Sequence, residues 1–350
     1  MTESRLPTPP APHIRGGNSV SLIMRRVLYA LVPGVIGMTV AFGWGVLINI
    51  VVAVTVAIAC EAALLRTRGR PLQLFLSDWS AVVMAALLAL CLPPLFPIWM
   101  TAIGVAFGLV FGKHLYGGLG YNPFNPAMVG YAVLLVAFPQ AMVQWLPPGG
   151  ITTTALGPMQ TLEVMLLGQW PAGATVDTVT QATPLDHVRT RLGEGLPLSE
   201  LRGSPVFGFI GGQGWEWINL LFLAGGAWLL RMRVIRWQIP AGVLAGLAAP
   251  ALLFWLIDPD AYLSPLFHLL SGGAMLGAFF IATDPVSAAS TPLGRLLFGI
   301  GIGLLAWVIR TWGGYPDGIA FGVLLMNMAV PLLDRYTRPR VYGHGRGSGP

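Results

Sequence analysis

Ten apolar runs constrain this chain more than any other feature. They fall at roughly 24–42, 44–65, 77–94, 96–113, 126–145, 216–231, 238–257, 265–283, 293–310 and 317–334. Each approaches the roughly 17–25 residues that a helix needs to cross a bilayer. Backbone polar groups inside lipid must pair within their own segment, so runs of this kind form helices. Composition agrees, because only 10% of the 350 residues are charged and 55% are hydrophobic. A soluble domain carries about a quarter charged residues. The expectation is an all-α polytopic membrane protein with about ten transmembrane helices. The first two runs are separated only around Phe42–Gly45, but together they are too long for one span.

The net charge of +6 does not point to nucleic acid, because the basic residues cluster in short connections between apolar runs. Cytoplasmic loops of membrane proteins carry that pattern. With the N-terminus inside, all but four of the 20 Lys and Arg fall on the cytoplasmic side. The exceptions are Arg189, Arg191, Arg202 and Arg310. Losing or gaining one span would destroy this bias. Trp44, Trp145, Trp215 and Trp312 fall at span ends, as interface anchors do. Cys60 and Cys91 lie inside apolar runs and read as small buried residues.

The runs divide five and five around a polar segment at 146–215. The expected organisation is a cytoplasmic tail at 1–22, a first membrane half at 23–145, the extracytoplasmic segment at 146–215, a second half at 216–335 and a tail at 336–350. Five spans on each side make the halves enter the membrane from opposite faces, which is the topology of inverted repeats. Lys113-His-Leu-Tyr-Gly-Gly and Arg310-Thr-Trp-Gly-Gly occupy corresponding places in the two halves. The outer segment is long for a loop and short for an independent domain, so it is expected to pack on the membrane part.

No phosphate loop, catalytic triad or metal motif stands out, and the five His are scattered. Charges within or bordering spans are expensive and therefore informative. Asp78 and Asp317 open apolar runs, where a carboxylate caps a helix N-terminus. Glu61, not far from Arg66, and Asp284 are the candidates for an ion path. Two stretches rich in Gly, Pro and Asn or Ser, 117–128 and 284–294, sit at membrane depth. Irregular backbone there must be buried in protein or line a cavity, so the two predict a shared central site for an ion or a planar cofactor. In the outer segment, Asp177-Thr-Val-Thr-Gln-Ala-Thr-Pro places the Thr183 hydroxyl before Pro184. Proline biases Thr183 to extended backbone, which presents that hydroxyl. These features also suit an inverted-repeat secondary transporter without a redox cofactor.

Four long stretches carry a likeness: KHLYGGLGYNPFNPAMVGY, GAFFIATDPVSA, GGYPDGIAFGVLLMNMAVPLLD and TRPRVYGH. They resemble the RnfD/NqrB family, membrane subunits of ion-translocating electron-transport complexes, over about residues 20–344. The resemblance implies an enzyme subunit, a translocase in a complex that links NADH and ferredoxin (or a similar carrier) to ion movement. It implies FMN joined through its phosphate to a threonine hydroxyl. Asp177, Thr180, Ala182 and Thr183 match the family's acceptor motif and make Thr183 the acceptor, whereas Thr178 and Gln181 stand where glycine is usual. A second, noncovalent flavin such as riboflavin would belong at the two irregular stretches. The implied partners are the A-, B-, C-, E- and G-type subunits of the complex, above all the G-type flavoprotein, and a flavin transferase. The implied place is the bacterial inner membrane, with both termini cytoplasmic and the flavin segment periplasmic.

Overall fold

The computed structural model describes residues 19–149, 156–315 and 317–338. The tails expected at 1–22 and 336–350 fall largely outside these residues. The described chain is helical, with two isolated β-bridges and no strand among its named elements.

In the first half, α1 (Val20–Phe42), α2 (Gly45–Thr67), α3 (Ser80–Leu90), α4 (Ile98–Phe107, continued by a π-helical stretch Gly108–His114) and α5 (Pro126–Ala137) follow in order. The outer segment holds α6 (Pro158–Leu167) and α7 (Pro184–Gly193). In the second half come α8 (Trp215–Arg231), α9 (Gln238–Ile257), α10 (Pro265–Leu269), α11 (Pro292–Trp312) and α12 (Ile319–Tyr336). Among the described residues, α1, α2, α9, α11 and α12 are long and apolar enough to cross a bilayer unaided. The chain is an all-α polytopic membrane protein.

The remaining runs are shorter or broken, and the cause is local. The run expected at 77–94 is helical only over Ser80–Leu90, just ahead of Pro93 and Pro94. The run expected at 126–145 stops at Ala137, because Pro139 disfavours helical backbone at Phe138. The run at 265–283 splits around Gly272, whose φ of +62° suits glycine. A Cβ there would also lie 2.6 Å from an Asp317 carboxylate oxygen. The continuation is one turn, Ala274–Leu276, and a π-helical stretch, Gly277–Ile281.

Several helices start by one device. Asn125, Thr183, Ser264 and Thr291 each accept backbone N–H bonds through the side chain, and each precedes a proline in the first turn. Proline there gives up a donor that the helix does not use. Asn125-Pro126, Thr183-Pro184 and Thr291-Pro292, which read as turns or irregular backbone, are therefore helix starts.

Packing follows the expected symmetry. In the first half α4 lies against α2 and α5; in the second, α11 lies against α9 and α12. Across the halves, α1 packs on its counterpart α8, and α5 on its counterpart α12. Contacts between equivalent elements are what a two-fold relation produces. Glycines allow the closest approach, since a Cβ on Gly242 of α9 would lie 2.6 Å from the Leu296 carbonyl oxygen of α11. Helices in lipid associate through such close contacts rather than through burial of apolar surface.

Segments expected on one side of the membrane do meet. Gly149 donates to the Ala41 carbonyl (2.7 Å) and Leu198 to that of Asp260 (2.9 Å). Leu185, Val188, Leu198 and Leu201 of the outer segment form a small core with Phe267 of α10. The outer segment therefore packs on the membrane part, through this core on the second half and through Gly149 on the first.

Candidate functional site

Thr183 is the N-cap of α7. Its backbone is extended, with φ −62° and ψ 157°, and Pro184 takes the first helical position. The hydroxyl oxygen accepts from the Asp186 N–H at 3.3 Å. Just before it, the Gln181 N–H donates to the Trp145 carbonyl at 2.8 Å and ties this strand of chain to the end of the first half. A helix N-terminus carries roughly half a positive charge and unpaired N–H groups, so it favours an anionic group. Arg189, two turns on, holds Asp186 (3.1 Å) and the Gly313 carbonyl (3.1 Å), docking α7 on the end of α11. Burial and the nearby Arg191 guanidinium hold the His187 imidazole below its usual range, so α7 packs with that ring neutral.

The Thr183 side chain borders a cavity of about 990 Å³, its mouth included. Its walls come from both halves: Met38 from α1, Met128 and Tyr131 from α5, Ile218 and Phe222 from α8. Beside Thr183 the wall is aromatic. Trp145 and Trp215 line the cavity, with ring centroids 5.1 Å apart, and Phe42 packs on both at 5.7 and 5.2 Å. Tilted and edge-on packing of this kind holds the rings in place.

A buried cation fixes another part of the wall, next to Leu185 of α7. Arg310 of α11 donates to the His268 carbonyl (2.6 Å), the Ser271 carbonyl (3.3 Å) and both oxygens of Asp317 (3.1 Å). Asp317 in turn accepts from the Gly273 N–H (2.8 Å) and the Ile319 N–H (3.2 Å), so it does cap α12. Bidentate guanidinium–carboxylate pairing is geometrically specific. Here it locks the break after α10, where Gly272 and Gly273 line the cavity.

The two irregular stretches meet near the opposite end of the bundle. Asn125 donates its side-chain amide to the Ile281 carbonyl (3.0 Å), and its N–H goes to the Asn327 side chain (3.0 Å). Asn327 also donates to the Ser287 carbonyl (2.9 Å), closing the link. Together the stretches line a second cavity of about 930 Å³ with Asn122, Thr283, Asp284 and Lys113 on its wall. Asp284 accepts from the Ser287 hydroxyl at 2.7 Å.

Glu61 is buried beside this cavity. Its partner is not Arg66 but Lys113, at 2.6 Å. Lys113 also donates to the Ser80 hydroxyl (2.8 Å), which donates to Asp78 (2.6 Å), and the His114 ring lies 3.7 Å from Glu61. Asp78 also accepts from the Ser80 N–H (2.7 Å) at the start of α3, as expected of a cap. Glu61 and Asp284 thus lie near the same end, linked through Lys113 and the cavity wall, without touching. Sequence reasoning passed over Lys113, Asn327 and Arg310 as site residues. A signal for two of them was present, because Lys113 and Arg310 hold corresponding places in the two halves. Each is a buried cation paired with a carboxylate.

The sequence matches the model of the NQR2, RnfD, RnfE family over residues 8–343. The chain belongs to this family. Its relatives are D-type subunits of ion-translocating oxidoreductase complexes. That of Alcanivorax borkumensis is 52% identical over 96% of both chains. That of Pseudomonas aeruginosa is 54% identical over 97% of this chain and 96% of its own. That of Vibrio cholerae is 48% identical over 95% and 98%. Family membership bears out the likeness carried by the four long stretches, two of which contain Lys113 and Asp284.

Proposed function

We propose that this chain is the D-type membrane subunit of an Rnf-like ion-translocating oxidoreductase and bears FMN esterified to Thr183. In this reading the complex moves ions across the bacterial inner membrane as electrons pass between NADH and ferredoxin or a similar carrier. The observation that carries it is the place of Thr183, at a helix N-terminus on the rim of an apolar cavity walled by both halves. An ester phosphate at that oxygen suits the N-terminal N–H groups of α7, and a planar ring beside it suits the Trp145–Trp215 wall. Bound there, FMN would supply electron transfer on its ring, which attachment through the phosphate leaves untouched. The chain's own part is to hold the phosphate, present an apolar wall and exclude water. The second cavity, lined by the two irregular stretches, is the proposed place for a noncovalent flavin such as riboflavin. Glu61 and Asp284 beside it are the proposed contacts of the ion path.

The proposed orientation puts Thr183 on the periplasmic side, facing a G-type flavoprotein, with A-, B-, C- and E-type subunits completing the complex. A flavin transferase would attach the cofactor. The first test is direct. Denatured protein, co-expressed with the transferase, is expected to keep yellow fluorescence on a gel. A colourless band would overturn the assignment.

A further inference from the structure

Helix α6 has three distinct faces. Thr161, Val164 and Met165 are buried, and the helix packs against α2 and α4. Met159, Leu162 and Leu166 recur at the i, i+3, i+7 spacing of one helix face, yet they are exposed, Met159 by 68% and Leu166 by 58%. At about 100° per residue, Gln160 and Glu163 fall together on the third side, with the exposed Leu167 of the last turn between them. Water does not favour an exposed apolar stripe, and such a patch marks an interaction surface.

The neighbours identify what covers it. Val51 and Ile58 of α2, and Trp99 and Ile103 of α4, are large apolar residues that point outward. On membrane spans such residues face lipid, and α6 packs on these same two spans. The helix has 10 residues, too few to span. One side on the bundle, one apolar and one carrying Gln160 and Glu163 suits a helix lying in the membrane–water boundary. A second apolar point occurs in the same segment. Phe209 (93% exposed) and Ile210 (44% exposed) tip a tight turn just before α8. The buried Glu216 carboxylate holds that turn through the N–H groups of Phe209 (3.3 Å), Ile210 (2.9 Å) and Gly211 (3.1 Å).

We propose that α6 is an interfacial lipid anchor. Its Met159–Leu162–Leu166 stripe sits in the acyl boundary of the leaflet on the Thr183 side, with Gln160 and Glu163 turned to water. The Phe209–Ile210 tip is the second contact, next to the second half. Together they hold the outer segment at a fixed height over the bilayer. This inference does not depend on the flavin.

The test uses the assembled complex in lipid vesicles. Cys60 and Cys91 are replaced by alanine, and an environment-sensitive fluorophore is attached in Leu162→Cys or, separately, in Glu163→Cys. With nitroxide-labelled lipid, the label at 162 is expected to lose most of its emission and to resist aqueous iodide. The label at 163, one residue away, should respond to iodide instead. Iodide quenching at 162 would overturn the proposal. So would protection of 162 from both quenchers, which would mean that a protein partner covers the stripe. Leu166→Cys, on the same stripe, repeats the measurement if Leu162→Cys fails to fold.

Discussion

Thr183→Ala is expected to leave the protein folded in the membrane and devoid of covalent flavin. The substitution removes the hydroxyl that would form the ester. Thr180 is the nearest preceding threonine, but its hydroxyl donates to the Val176 carbonyl (2.8 Å) within its own turn. The structural cost is that of a lost N-cap, about 0.5–2 kcal/mol. Burial of Leu185 and Val188 in the small core against α10 keeps α7 in place. Donor-driven electron transfer through the complex should fall to background while subunit assembly persists. Thr183→Ser keeps both the cap and the nucleophile, so it should retain flavin. An alanine variant with an undiminished fluorescent band would remove Thr183 as the acceptor.

Lys113→Met should give the largest loss of stability among single substitutions at the opposite end. Glu61 is 2% exposed and its close cationic partner is Lys113. Removing one member of a buried pair strands a charge, at about 3–5 kcal/mol. The thermal midpoint in detergent should drop sharply, and Lys113→Met combined with Glu61→Gln should recover most of the loss. Glu61→Gln alone keeps a hydrogen-bond acceptor for Lys113 but strands its buried charge, so it should lose stability as well. Ion uptake lost in the double variant at near-normal thermal stability would place the Glu61–Lys113 pair on the ion path. Unchanged uptake would take it off that path.

Run length and basic-residue bias were enough to read the helical membrane class, because lipid permits few alternatives. Broken spans were harder. The run at 265–283 is interrupted only by His268, Ser271 and glycines, and a positive φ and the Asp317–Arg310 pair reveal why the helix breaks around Gly272. Those partners lie about 40 residues away, beyond any local signal. The same holds for Glu61, where nearness in sequence suggested Arg66 and the fold supplies Lys113, 52 residues on. Asn125 and Asn327 pair across 202 residues, so only the fold brings the two irregular stretches together. Thr183 was the opposite case. The hydroxyl and its proline are adjacent, so the extended backbone follows from two residues, while the helix start behind it does not. The outer segment misled in one respect: its overall polarity hid α6, whose apolar stripe becomes visible only once the burial of its other face is known.

The most direct measurement is mass spectrometry of the peptide that contains Thr183, from protein co-expressed with its flavin transferase. The account predicts an adduct equal to FMN less one water, located on Thr183 by fragmentation. An unmodified peptide, or the adduct on another residue, would contradict it.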